Sequence, residues 1–467
     1  MAVPGSHHLV RGSGLGAVRG LSAAALLRLA GALVVALAGM TLLAGWATDS
    51  SLAWFAWLGI GAVAGLLAGF ARATLLVAPA AVLVYPACAL LGRSGTPVQP
   101  MPEAWAALVL VGGIVTAAGF AVGAAVAERR VGRTAVAAVL VGLVGVAAWG
   151  GYSGYIGSNE VLVASTSWPH CDTPMSRFGW TYEAINYDPA DDARLAAAPG
   201  GLENCASQGA KAGSAVVTQD GLGIAAWYIP AGSGASATAP TIVISPGWKS
   251  NKTEVLKYAP FFHQRFNLVL VDLRNEGRSG GSMSTFGYNE RMDVRAVVDW
   301  LERTKHPSWI GAMGNSMGAA TVLGEAAGDP RIRALILDSM HAKFMDSFAD
   351  GAASERNLPG LPTAWAIVGL SWLRSGVDIP SVDPVRTIAA LGDRPVLLIH
   401  GTNDILDTVD HAAKPNYASA QAAGVPVTIQ YCEGGTHGKL VDKCPAQWQA
   451  WVDQFLAGVP ELKAAGG

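Results

Sequence analysis

Five long apolar runs fill the first third of this chain, near 29–47, 52–71, 73–91, 104–127 and 134–156. A run of about 18 or more apolar residues is long enough to cross a lipid bilayer, where a helix satisfies its own backbone polar groups. Charged residues make up 14 % of the 467-residue chain, against about 25 % in ordinary soluble domains. The deficit sits almost wholly in residues 1–156, and the remainder has a water-soluble composition. This pattern predicts an N-terminal tail over 1–28, then an all-α transmembrane bundle of about five helices over 29–156. Gly61, Gly65 and Gly69 recur every four residues, which permits close helix contact. Trp54, Trp57, Trp105, Tyr152 and Tyr155 fall near run ends, where amphipathic rings favour the membrane interface. The absence of acidic residues within the runs speaks against an ion pathway and for an anchor.

The basic residues orient this bundle. Arg11, Arg19 and Arg28 precede the first run, Arg72 separates the second from the third, and Arg129, Arg130 and Arg133 lie between the fourth and fifth. All fall on one side of a five-span bundle, and the positive-inside bias makes that side cytoplasmic. The expectation is an integral membrane protein of a bacterial plasma membrane, contacting membrane lipids, with residues after 156 extracytoplasmic. A net charge of −2 offers no electrostatic footprint for nucleic acid. His7 and His8 stand without other ligands nearby, so no metal site is expected there.

Cys88 lies inside an apolar run, and Cys171, Cys205, Cys432 and Cys444 follow in the second part of the chain. An even number of cysteines in an oxidising compartment suggests disulfides, with three possible pairings. Cys171–Cys205 and Cys432–Cys444 are favoured because each closes a local loop; free buried thiols are the alternative. None of the four has the C-x-x-C spacing of a zinc or redox site.

Residues 157–210 are irregular and rich in Pro, Asp, Asn and Ser, as in a linker or collar, with a short helical patch at 191–198. Strand and helix patterns then alternate over 211–460. Residues 214–218 and 223–229 read as an antiparallel hairpin. Short Val/Ile/Leu runs follow at 241–245, 267–272, 309–313, 334–338, 395–400 and 427–431. They lack polar alternation, as strands buried on both faces of a parallel sheet should. Helix-length segments at 254–265, 289–304, 317–327, 411–423 and 446–456 lie between or after them. The fold class is α/β, a mostly parallel doubly wound sheet, and about 250 residues bury a full core.

Within this frame Gly314-Asn315-Ser316-Met317-Gly318 fits G-x-S-x-G, and so does Gly277-Arg278-Ser279-Gly280-Gly281. Context separates them. Ser316 follows a buried strand and opens a helix, which is the strand–turn–helix setting of a nucleophile elbow, whereas Ser279 lies in a loop. Serine needs a base, and the base an orienting acid, in the chain order Ser, Asp or Glu, His. Asp404 comes just past the strand at 395–400 and is the chosen acid; Asp407 and Asp410 compete with it by the same placement. His437 follows the last strand among small residues and is the chosen base. His400 and His411 read as support for the acid loop and a helix start, and His263, His306 and His341 as surface or packing residues. The oxyanion donors expected are the backbone N–H of Met317 and that of Trp248, in the loop after the strand at 241–245.

Residues 210–460 resemble the serine-aminopeptidase-like α/β-hydrolases. The likeness rests on Ser245-Pro246-Gly247-Trp248, on the stretch from Val271 through Arg274-Asn275-Glu276-Gly277-Arg278 to Gly281, and on Phe286-Gly287-Tyr288-Asn289-Glu290. It continues through the Ser316 elbow, His400-Gly401-Thr402-Asn403-Asp404 and His437. Pro246 and Glu276 each stand where the family usually has His. The resemblance implies an α/β-hydrolase fold and makes the Ser279 loop structural. Together with the motifs it points to hydrolysis of small-molecule or lipid esters, thioesters or amides through an acyl-enzyme, which needs neither metal nor organic cofactor. A lid is expected over 341–391, with Phe344, Phe348, Trp365, Leu370, Trp372 and Leu373 either lining an acyl pocket or forming lid core. Acyl transfer and peptidase action use the same triad, and a non-catalytic scaffold is the alternative from a different class.

Overall fold

The computed structural model describes residues 119, 122, 131–163, 172–192, 215–234, 236–356 and 360–465. The chain divides into two units, Met1–Tyr152 and Ser153–Gly467. Among the described residues no helix is long and apolar enough to cross a membrane. That finding lends the expected transmembrane bundle no support and contradicts the expected placement in a bacterial plasma membrane with a cytoplasmic N-terminus and an extracytoplasmic catalytic domain. The first four apolar runs lie outside the described residues apart from Gly119 and Val122, as do the 1–28 tail and the pairing Cys171–Cys205. The fifth run belongs to helix α1, Val131–Leu162, which continues past the expected end at 156. Its last turns are covered by protein. Val161 and Leu162 are buried, Ser284 N–H donates to the Leu162 carbonyl at 2.8 Å, and Arg374 donates to Ser158 Oγ at 2.8 Å.

The second unit is built on one eight-stranded sheet of order β1-β2-β4-β3-β5-β6-β7-β8. The strands are β1 Glu183–Ile185, β2 Ala226–Ile229, β3 Thr241–Ser245, β4 Asn267–Val271, β5 Ile310–Asn315, β6 Ile332–Asp338, β7 Val396–Gly401 and β8 Val427–Cys432. From β4 onward in that order every pairing is parallel; the β1–β2 and β2–β4 pairings are antiparallel, so β2 alone runs against the other strands. Successive side chains of a strand point to opposite faces, and in β2 to β7 both faces are buried, whereas β8 at the sheet edge is largely half-buried or exposed, against the burial expected for 427–431. Val243, Val269, Leu335 and Leu398 join one core, while Ile242, Ile244, Leu268, Leu270, Ile336 and Leu397 join the other. The first core is closed by helices α2, Glu290–Thr304, and α3, Met317–Gly328. Helices α4, Phe344–Arg356, and α5, Gly360–Ser375, follow β6 in the expected lid segment. Helix α6, Pro445–Gly458, closes the second core with Trp448, Val452 and Leu456.

The expected hairpin of 214–218 with 223–229 is reduced to a single bridge, Val217 to Gly223. β2 pairs instead with β4 and with β1, an edge strand drawn from the stretch read as linker. Asn186 explains the exchange. Its amide group hydrogen-bonds the Val216 and Ile224 carbonyls at 2.6 and 2.9 Å, and its Oδ1 accepts from Ala215 N–H at 3.1 Å, so a side chain takes up groups a second strand would have used. The helix expected at 254–265 is one α-turn, Lys252–Val255, followed by a 3₁₀ stretch, Leu256–Phe261, because Pro260 lacks the N–H that an α-helix needs.

Trp448 is wholly buried against Tyr258, Phe261 and Phe262 and donates its indole N–H to Asp338 at 3.0 Å. Trp448→Ala should lower the unfolding free energy by about 3–5 kcal/mol in urea titrations. Trp372→Ala, at a side chain 54 % exposed, should change it by less than about 0.5 kcal/mol.

Candidate active site

The chain must reverse sharply at Ser316 to pass from β5 into α3, and Ser316 takes φ 53° and ψ −122° to do so. Small neighbours make the reversal possible. A Cβ on Gly314 would lie 2.3 Å from the Gly318 carbonyl oxygen, and one on Gly318 would lie 2.2 Å from that of Pro246. The strained backbone lifts the hydroxyl above the carboxyl edge of the sheet. There Ser316 Oγ is 2.7 Å from His437 Nε2, and His437 Nδ1–H donates to Asp404 Oδ2 at 2.8 Å. Asp404 itself is oriented by its second oxygen, Oδ1, which accepts the N–H groups of Leu406 and Asp407 at 3.1 and 2.9 Å. Of the competing acids, Asp410 is exposed and paired with Lys414 at 2.5 Å. Asp407 Oδ2 stands 3.6 Å from His437 Nδ1, beyond hydrogen-bond reach but inside charge range.

The His437 loop is pinned from both sides. Lys257 Nζ donates to the Gly438 carbonyl at 2.9 Å, and Gly438 N–H donates to Ser339 Oγ at 3.2 Å. Ser339 in turn donates to Asp338 at 2.9 Å. Asp338 ends β6, is fully buried, accepts from Asn315 Nδ2 at 3.2 Å, and offers its backbone carbonyl to Ser316 N–H at 2.8 Å. Burial pushes its carboxyl above the usual range, against the hydrogen bonds from Trp448 and Ser339. This one residue ties the elbow, the histidine loop and α6 together. Sequence reading did not single it out, although its position at the end of a buried strand, like that of Asp404, was a usable signal. Cys432 and Cys444 form a disulfide across the same loop, with Cα atoms 6.2 Å apart.

The expected oxyanion donors flank the nucleophile. Met317 opens α3, where first-turn N–H groups have no intrahelical partner. A Cβ on Gly247 would sit 3.3 Å from Ser316 Cβ, so the Gly247-Trp248 turn lies directly against the serine. Glu276 supports this turn by accepting the Lys249 N–H at 2.6 Å. It is buried, and burial raises its carboxyl well above the ordinary range. Glu276, at the position where the resemblance implies His, thus hydrogen-bonds the turn that carries Gly247 and Trp248. Ser279 Oγ donates to the Asp272 carbonyl at 2.6 Å and accepts from Ala225 N–H at 2.9 Å, which makes it a structural brace.

Beside the serine stands an aromatic wall. Trp248 meets Phe286 and Phe348 with ring centres 5.6 and 6.3 Å apart, and Phe344 stacks on Phe348 at 4.2 Å. Trp365, Trp372 and Leu373, expected either to line an acyl pocket or to form lid core, are 65 %, 54 % and 70 % exposed, and Leu370 is half-buried. The α5 positions that turn inward are instead Ala364, Ile367, Val368 and Ser371. His400 Nε2 lies 2.6 Å from the Asp407 carbonyl and supports the acid loop. His411 donates to Asp350 of α4 at 2.7 Å.

This fold and this site define a hydrolase of the α/β-hydrolase class. Residues 202–368 match the X-Pro dipeptidyl-peptidase (S15) family. The uncharacterized protein YqkD of Bacillus subtilis is 30 % identical over 223 residues, covering 47 % of this chain and 72 % of its own length. The uncharacterized protein Rv2307c of Mycobacterium tuberculosis is 30 % identical over 192 residues, covering 40 % of this chain and 60 % of its own length. Among solved structures, a Pyrococcus furiosus esterase, Pf2001, aligns over 52 % of this chain and 88 % of its own, at 24 % identity and a TM-score of 0.43. The chain belongs to the YqkD family of α/β-hydrolases.

Burial alone would lower the His437 pKa, but the hydrogen bond to Asp404 and the charges of Asp407, Asp404 and Asp338 outweigh it and push the ring up to about 9. Only the neutral ring accepts the serine proton. Hydrolysis of an activated ester, measured as kcat/KM, should therefore rise with pH from 6 through an apparent pKa well above the ordinary imidazole value of about 6.5. Asp404→Asn should reduce kcat by about 10⁴-fold, since the amide no longer holds the productive tautomer.

Proposed function

We propose that this chain is a serine hydrolase that cleaves esters, thioesters or amides of small molecules through an acyl-enzyme on Ser316. The observation that carries this reading is the unbroken contact from Ser316 Oγ through the His437 ring to Asp404, at 2.7 and 2.8 Å. His437 Nε2 takes the hydroxyl proton as Ser316 Oγ attacks the substrate carbonyl carbon. Asp404 holds Nδ1–H and stabilises the imidazolium. The Met317 and Trp248 N–H groups face the oxygen on which charge develops. The imidazolium then protonates the leaving group and becomes neutral; in the second half the neutral ring takes a proton from water as its oxygen attacks the acyl carbon, and returns that proton to Ser316 Oγ as the acyl–oxygen bond breaks. The wall of Trp248, Phe286, Phe344 and Phe348 favours an apolar or aromatic acyl portion. A peptidase on the same three residues is the second reading, favoured by the match of residues 202–368 to the X-Pro dipeptidyl-peptidase family.

A fluorophosphonate probe should add to the full-length protein at one site, Ser316, located by peptide mass, and Ser316→Ala should abolish the adduct. A panel of p-nitrophenyl esters beside Xaa-Pro anilides then separates the two readings. Esters should be turned over and lose on the order of 10⁴-fold or more in kcat with Ser316→Ala. Wild-type protein that is folded yet neither labels nor hydrolyses any member of the panel would refute the enzyme assignment.

A further inference from the structure

His437 is served by one acid through a hydrogen bond, yet a second acid stands beside it. Asp407 is 5 % exposed and places Oδ2 3.6 Å from the same ring nitrogen that Asp404 binds. Its other oxygen, Oδ1, is held by Ser347 Oγ on the first turn of α4. Its backbone is fixed as well, by N–H donation to Asp404 Oδ1 at 2.9 Å and by His400 Nε2 at its carbonyl, 2.6 Å away. Two further ties bind α4 to this loop: Ser354 Oγ donates to the Ile405 carbonyl at 3.2 Å, and His411 donates to Asp350 at 2.7 Å. The helix of the lid segment is thus docked on the acid loop, and one of its hydroxyls aims a buried carboxylate at the base.

We propose that Asp407 is a positioning residue that presents a second carboxylate to the His437 ring, and that Ser347 aims it, so that docking of α4 stabilises the charged ring formed during acylation. The inference rests on the serine-hydrolase reading for its role in turnover, but the contact of carboxylate and ring stands apart from that reading. The ionisable groups that face the pair are Asp404, Asp338, His400 and His341. Asp404 and Asp338 act on the ring in the same direction as Asp407. Burial holds His341 below the ordinary imidazole range, so it brings no charge to the cluster near neutral pH. Asp404 keeps the hydrogen bond and Asp407 supplies charge, a division set by 2.8 against 3.6 Å.

The test follows the ring itself. Full-length protein labelled at histidine is titrated by NMR as wild type, Asp407→Asn, Ser347→Ala and Asp404→Asn, with the His437 signal assigned from its loss in His437→Gln. An opposite charge this close shifts a titration by about one unit or more. The His437 midpoint should therefore fall by about that much in Asp407→Asn and by less, in the same direction, in Ser347→Ala. The acid limb of kcat/KM should move toward lower pH with it. Both variants should still label at Ser316. A His437 titration in Asp407→Asn that overlays wild type within about 0.2 unit overturns the proposal. So does a loss of activity in Asp407→Asn as deep as in Asp404→Asn, since Asp407 would then be the orienting acid itself. A shift in Asp407→Asn with none in Ser347→Ala overturns the part given to α4; Ser347 lies near the surface, so its loss leaves a folded protein to measure. If the titration shifts as expected while wild type hydrolyses nothing, the carboxylate–ring assignment holds and the hydrolase reading fails.

Discussion

The left-handed backbone at Ser316 is the constraint around which the second unit is arranged. A non-glycine residue at φ 53° is unfavourable by about 1–3 kcal/mol, and it persists because its neighbours leave it no alternative. Gly314 lets β5 and α3, and Gly318 lets α3 and the end of β3, approach to distances no side chain would permit, and the Asp338 carbonyl holds the Ser316 N–H. The elbow is therefore stable only when β3, β5 and β6 are already in register. Strain at the nucleophile and pairing at the centre of the sheet are one condition.

Asp338 carries that condition outward. It lies beneath the elbow, binds the Asn315 side chain, steadies the His437 loop through Ser339, and takes the indole hydrogen of Trp448 from α6. A carboxyl group so deep is costly unless hydrogen-bonded, and here the donors come from three separate elements. Burial of the acid thus gives the three elements a shared partner.

How far the residues foretold this arrangement depended on what each pattern encodes. The strands at 241–245, 267–272 and 395–400 were legible because burial on both faces removes polar alternation from the sequence. The convergence of Ser316, Asp404 and His437 was legible by placement, the first two just past buried strands and the third past the last strand among small residues. Asn186 was not, because its effect is to satisfy the carbonyls of Val216 and Ile224, contacts 30 and 38 residues away that leave no local periodicity. The inward face of α5 was not legible for a related reason: α5 turns Ala364 and Ser371 inward and leaves Trp365 and Leu373 outside, contrary to ranking by hydrophobicity. The apolar run ending at 156 did not mark where its helix stops, since Val161 and Leu162 carry that helix on into a protein interior.

The bond between Cys432 and Cys444 makes residues 433–443, His437 among them, a covalently closed ring at the end of β8. A protease that cut once inside that ring would leave the two fragments joined. On a denaturing gel without reductant the nicked chain would run as a single band, and only added thiol would separate a C-terminal piece carrying α6. Integrity of the histidine loop is therefore read correctly only from paired reduced and unreduced lanes.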